Sequence, residues 1–414
     1  MIPQGLSQIR CRDRIVDMAF QMGKVLTLFL LMLSLLSSSA VAKETLPLDR
    51  FLKMVYAENP DFTIQNSDVN ASKARASGIR IPPGMVGFMQ MRESGNIRNG
   101  IEVYQEIPLP SKIIQDKRVR NLEYEAQKQV SGIQKTIIIA KARVAYIEFW
   151  AALTRLTILK EKRRWLGHHT ELYRTTTFSD NQARIHLLGV ESELDLLDNE
   201  ILSADTFLTT KRNLLNVFVP SLENQDIVAV EPALEDPKTN GGKSPFVTWK
   251  EKELKAKQAE LSLAKQAYLP DLSVRLRAYG GSQIVQANNE LMVGITVPFL
   301  NFWQPNAEIK EASAKKMRAN AELQKMTVET DSMFSSLFKQ SGVLKKQLVI
   351  LKNKLIPRAA QRVELVKNLS QRTMEGLGEH KSVMLDYLDL KLQAVDLRSD
   401  YEKNLQEIMQ LIGG

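Results

Sequence analysis

The sequence predicts a mainly α fold with a small β-barrel contribution: long coiled-coil helices plus four short membrane-spanning strands per chain. Three observations carry that expectation. Proline-poor stretches, above all 111–174, place apolar residues at spacings of three and four for far longer than an ordinary globular helix. Four short segments alternate apolar and polar residues. The order of these elements occurs twice along the 414 residues.

The first 42 residues are set apart as a leader. Lys24 precedes the apolar run Val25 to Leu36, and small residues follow, ending Ala40-Val41-Ala42. A charged start, an apolar core and an A-x-A site make a secretory signal peptide. The run is about 12 residues, short of the roughly 20 that a spanning helix needs. Cleavage after Ala42 removes Cys11, the one cysteine. The expected exported protein then has no disulfide, no Cys-rich metal cluster and no cysteine to carry a lipid at its start.

Each half is expected to run short helix, strand pair, long helices. The first repeat is 43–217, with its strand pair at 84–107 and long helices over 111–217. The second is 245–414, with strands at 271–298 and helices over 306–411. Prolines mark matching joints: Pro82-Pro83 and Pro270 end the short helices, and Pro108 and Pro298 end the strand pairs. Residues 218–244, with Pro220, Pro232, Pro237 and Gly241-Gly242, read as a linker. Pro357 is expected to kink a long helix. The polar segments 175–180 and 372–379 are expected to turn the helices back, and 92–100 and 280–290 to be hairpin tips.

The strands separate two faces. Leu272, Val274, Leu276 and Ala278 alternate with Ser273, Arg275, Arg277 and Tyr279. Ile101, Val103 and Ile107 alternate with Glu102, Tyr104 and Glu106. Val293, Ile295 and Val297 form a third set, whereas Met85 to Met91 alternates poorly. Four strands cannot close a barrel, and an open sheet edge in hydrocarbon is costly. Three copies would supply twelve strands, so a symmetric homotrimer is the simplest closure.

These marks meet a known family. Leu46-Pro47-Leu48 leads to Asn59-Pro60, and Glu106-Ile107-Pro108-Leu109-Pro110-Ser111-Lys112 follows the second strand. Ala267-Tyr268-Leu269-Pro270-Asp271-Leu272 precedes the third, Val297-Pro298-Phe299-Leu300-Asn301-Phe302 follows the fourth, and Asp386-Tyr387-Leu388 lies beyond the second helical turn. In that order and spacing, over essentially the whole chain after the leader, the sequence resembles the outer membrane efflux protein family, the TolC-like channel components. The resemblance implies a TolC-like fold, a trimer with a twelve-stranded outer membrane barrel and a helical tunnel through the periplasm. It implies as partners a periplasmic adaptor (membrane fusion) protein, an inner-membrane pump and outer membrane lipid. The Ile107-Pro108-Leu109-Pro110 element looks most like the heavy-metal efflux branch, from which Ser111 departs, since glycine is usual there. Asn181 departs near another usual glycine.

The expected function is a passive conduit for small solutes, metal ions or drugs. Such a conduit is not an enzyme and needs no cofactor. Glu102, Glu106, Arg275 and Arg277 oppose the apolar strand face and are candidates to line the lumen, because charges facing lipid cost a few kcal/mol. Asp180, Asn181, Arg372, Glu375, Gly376, Gly378 and Glu379 form the candidate adaptor-docking or gate region. There a threefold ring would concentrate field at the mouth. The four histidines, His168, His169, His186 and His380, show no ligand spacing, so no metal site is expected. The net charge of +9 is spread among many acidic residues, which disfavours nucleic acid. Two other readings compete: a channel of a type I protein secretion system, and a periplasmic coiled-coil scaffold or adaptor.

Overall fold

The computed structural model describes residues 44–93, 96–176, 181–223, 225–237, 242–280, 288–297, 303–367 and 374–413. The leader with Cys11, and Asp180, Arg372, Pro298, Phe299 and Phe302, lie outside them. The chain divides into two compact units, one of 1–45 with 224–228 and one of 46–223 with 229–414. In the smaller, Glu44 N–H donates to Asp226 O at 3.0 Å, where the short strands β1 (Glu44–Leu46) and β4 (Ile227–Ala229) begin. All that follows concerns the larger.

Its first helical stretch is two helices, α1 (Leu48–Glu58) and α2 (Pro60–Ala76), where the sequence reads as one. Pro60 has no amide to continue α1, and the Asn59 side chain accepts the Asp61 N–H at 2.9 Å, capping α2. The hairpin β2 (Met85–Glu93) and β3 (Asn96–Ile107) follows, then α3 (Pro110–Thr176) and α4 (Asn181–Phe218). Next come α5 (Pro245–Lys265), the hairpin β5 (Asp271–Tyr279) and β6 (Asn288–Thr296), and α6 (Trp303–Ile350). A π-helical turn, Leu351–Leu355, leads into α7 (Ile356–Lys367), and α8 (Met374–Ile412) completes the order. Pro357, where the sequence predicts a kink, lies just after this π-helical turn, a local register change of the kind that accompanies kinks.

Three expectations change. The strands have 9, 12, 9 and 9 residues, longer than the sequence pattern shows. The first hairpin tip is correspondingly short, since 96–100 belong to β3. The joint expected at 372–379 is helical from Met374, so Glu375, Gly376, Gly378 and Glu379 stand in the first turns of α8.

α3 is the spine. It has 67 residues, about 100 Å at 1.5 Å per residue, and packs against α1, α2, α4, α5 and α8. One cluster of buried residues, Leu156, Leu159 and Leu166 with Val190, Leu197 and Leu377, joins α3, α4 and α8. The spacing of those residues by three and seven is the helical stripe read from sequence. At one end of α3 stands a four-stranded antiparallel sheet in the order β2-β3-β5-β6.

Candidate functional site

The register sorts every strand side chain onto one of two faces. Val86 pairs with Val103, Val103 with Leu276, and Leu276 with Leu291, so these four share a face. So do Phe88, Ile101, Leu272, Val293 and Ile295. This face is uncovered: Phe88 is 92% exposed, Val86 and Val293 71%, Ile295 66%. A contiguous apolar surface of this kind marks a membrane or protein contact. No helix among the described residues is long and apolar enough to cross a membrane.

The opposite face is charged. Glu102 is paired with Arg277 and Gly87, and Tyr104 with Arg275 and Met85. Arg277 Nε donates to Glu102 Oε2 at 2.8 Å, and Arg275 Nε lies 3.3 Å from Oε1, so one carboxylate sits between two guanidiniums. Arg275 also lies 5.3 Å from the Tyr104 ring centre, and Arg98 5.5 Å from that of Tyr279. Glu106 stands on this face too, opposite Ser273. All four strand residues singled out from the sequence therefore share one surface. The poor alternation of β2 has its cause here: Met85, Met89 and Met91 occupy the charged face, so both faces of that strand are apolar.

Two of the quoted sequence elements meet where the sheet joins the helices. Asp271, in Leu269-Pro270-Asp271, takes Lys112 Nζ at 2.7 Å and the Leu109 N–H at 3.2 Å, while Lys112 also donates to Leu269 O at 2.8 Å. This pairing fixes the start of α3 to the start of β5. The sequence carried both residues but no sign that they touch.

The other candidate set lies at the far end of α3. Gly376 and Leu377 are buried, Gly378 is half-buried, and Glu375 and Glu379 are exposed one turn apart. Glu375 falls in the first turn of α8, where the helix dipole favours an acidic group. The Asn181 backbone begins α4; its side chain, with Asp180 and Arg372, is outside the described residues.

A histidine pair that the sequence left without a role sits beside Leu377. His169 Nε2 is 2.9 Å from Leu377 O, and a carbonyl only accepts, so Nε2 carries the proton. Its ring stacks on Trp165 at 4.6 Å and lies 5.7 Å from that of His380. Burial first, then the neighbouring His380, Lys381 and His168, push the His169 pKa below its usual value against the pull of the Leu377 carbonyl. Burial and Lys367 lower His380 likewise. Among the described residues, no group of three or more His, Cys, Asp or Glu is placed to hold a metal ion.

Midway along the helices, residues 230–236 are strapped to them. Tyr146, fully buried on α3, donates to Leu46 O at 2.6 Å and accepts the Val230 N–H at 2.9 Å. Arg398 of α8, 1% exposed, pairs with Glu402 and donates to Pro232 O and Ala233 O, each at 3.1 Å. Tyr401 donates to Glu235 O at 2.6 Å, and Lys352 to Glu231 at 2.7 Å.

No protein family's sequence profile matches the chain. No curated protein matches it in sequence either. Solved structures do match. The Neisseria gonorrhoeae MtrE outer membrane channel in its open state aligns at a TM-score of 0.74 and 12% identity, over 89% of each chain. CusC, whose crystal structures concern folding and transmembrane channel formation, aligns at 0.74 and 12%, over 89% of this chain and 92% of its own. The Campylobacter jejuni CmeC outer membrane channel aligns at 0.73 and 11%, over 88% of this chain and 85% of its own. Across nearly its whole described length, this chain has the fold of outer membrane channel proteins.

Proposed function

We propose that this protein is the outer membrane channel of a tripartite efflux system. It would be a passive conduit from an inner-membrane pump and its periplasmic adaptor to the outside. The observation that carries the reading is the two-faced sheet: an uncovered apolar face, a charged face behind it, and a helix of about 100 Å running from its end. Strands of 9 to 12 residues match the roughly 9–11 that a tilted spanning strand needs. β2 and β6 are the two edges of the sheet within one chain. Their backbone groups would cost several kcal/mol each if left unpaired in lipid, which favours three copies closing a twelve-stranded barrel.

In this reading Glu102, Glu106, Arg275 and Arg277 line the lumen. Glu375, Gly376, Gly378 and Glu379, with Asp180, Asn181 and Arg372, form the adaptor-docking or gate end. Residues 1–42 act as the export leader, and 43–217 and 245–414 are two copies of one unit joined by 218–244. No catalytic step or cofactor is involved. The cargo is a small solute, and the Ile107-Pro108-Leu109-Pro110 element supports metal ions within that class.

The test is purification in detergent followed by reconstitution. A trimeric mass and stable conductance steps in a planar bilayer are expected. A water-soluble monomer without conductance would sink the reading.

A further inference from the structure

The segment between α2 and β2 is irregular, exposed and nonetheless fixed at both ends. Arg120, buried on α3, donates from Nη1 to Arg75 O at 2.6 Å and to Ser77 O at 3.4 Å, and from Nη2 to Gly78 O at 3.4 Å. Its Nε holds Asp116 at 2.9 Å. Gly78 turns the chain at a φ of +80°, which glycine adopts without strain. At the other end, Gln105 Nε2 donates to Pro82 O at 2.7 Å, and Pro82-Pro83 fix their own φ. Only Ile79, Arg80 and Ile81 stand between these pins.

Ile79 is 67% and Ile81 48% exposed, with exposed Arg80 between them. Scattered exposed isoleucines need no explanation. Here a held loop presents two of them around a cation. The adjoining turns of α3 repeat the combination: Ile114 is 68% exposed, with exposed Lys117 and Arg118 three and four residues on. The segment runs directly into β2, and α3 follows directly on β3. β2 begins, β3 ends, β5 begins and β6 ends at the same edge of the sheet, where the uncovered apolar face stops and the helices start.

We propose that Ile79–Ile81, together with Ile114, Lys117 and Arg118, is a docking surface for the inner leaflet of the outer membrane, with the isoleucines in the headgroup–acyl boundary and Arg80 against the phosphates of anionic phospholipid. This rests on the channel reading and adds to it a lipid contact below the barrel. The charge sign and the continuity with the apolar sheet face select the occupant. A purely apolar partner leaves three cations unanswered, and a purely acidic one leaves three isoleucines in water.

The experiment uses the full chain with Cys11→Ser, carrying a nitroxide on Ile79→Cys or, separately, on Phe88→Cys. Each protein is reconstituted in vesicles of phosphatidylcholine alone or with added phosphatidylglycerol. Collision with oxygen and with a water-soluble nickel chelate is read by electron paramagnetic resonance. At position 79, raised oxygen and suppressed nickel collision is expected, at a depth shallower than position 88. Arg80→Glu should move the label at 79 toward water in phosphatidylglycerol vesicles and leave it unchanged in phosphatidylcholine. A label at 79 open to nickel, or shielded from both reagents as beneath a second copy, overturns the proposal. So does an equal Arg80→Glu effect in both lipids. If position 88 also lies in water, the channel reading has failed; if only position 79 does, the docking surface alone has failed.

Discussion

Replacing Arg398 by methionine should be strongly destabilising to the helical body. The guanidinium is 1% exposed, its partner Glu402 side chain 10%, and the Pro232 and Ala233 carbonyls complete its hydrogen bonds. Methionine keeps most of the volume, so the loss is electrostatic. Removing one member of a buried pair strands the other charge and costs about 3–5 kcal/mol. The double variant Arg398→Met/Glu402→Leu removes the stranded carboxylate as well. It should regain about half of that loss and retain a deficit of about 1–3 kcal/mol from the two carbonyls that no longer receive a charged donor. Urea unfolding followed by far-ultraviolet circular dichroism measures both, and with Glu402→Leu alone as the third variant the cycle isolates the pair. A single variant within about 1 kcal/mol of the parent would refute the reasoning. So would a double variant no more stable than the single, because stranded charge would then not be the cause.

Three other perturbations follow from the same geometry. His169 is neutral and buried, with its pKa depressed in the fold; the unfolded chain therefore binds its proton first as pH falls. Its contribution is whole above about pH 6.5 and is lost below it, so melting should drop between pH 7.5 and 5, less so in His169→Gln; an identical drop in the variant would assign the effect elsewhere. Glu102→Gln leaves Arg275 and Arg277 without their shared carboxylate; with that face lining the lumen, as proposed, the reversal potential in a salt gradient should shift toward anion selectivity. No shift would count against the lumen placement. At Gly100 a Cβ would meet Ala278 O at 2.7 Å and the Tyr279 ring at 3.1 Å, whereas at Gly87 it meets nothing within 4 Å. Gly100→Val should cost about 1–3 kcal/mol and weaken the sheet's resistance to protease, and Gly87→Ala should not; equal behaviour of the two would contradict the register.

What could be read in advance was what depends on near neighbours in the chain. The long helices were legible because their stripes recur every three or four residues, and β5 because its faces differ strictly. β2 was not, because its methionines face the charged side and hide the period. The break at Asn59 was missed although its signal, an N-cap residue before proline, is local. Gly376 and Gly378 read as a turn because two glycines weaken a helix by about 2 kcal/mol in isolation. Buried Leu377, packed with the Leu159 and Leu166 cluster, supplies the tertiary contact that keeps them helical.

The sequence by itself determined the helical spine, three of the four strands and the face on which Glu102, Glu106, Arg275 and Arg277 would lie, because periodicity is a property of residues a few positions apart. Tertiary structure alone decided the pairings: Lys112 with Asp271, His169 with Leu377, Arg398 with the 232–233 carbonyls, and the β3–β5 register that sets one carboxylate between two arginines. These partners are 159, 208, about 166 and 175 residues apart. No local pattern encodes such a meeting; it follows from how the amphipathic faces pack once they have formed.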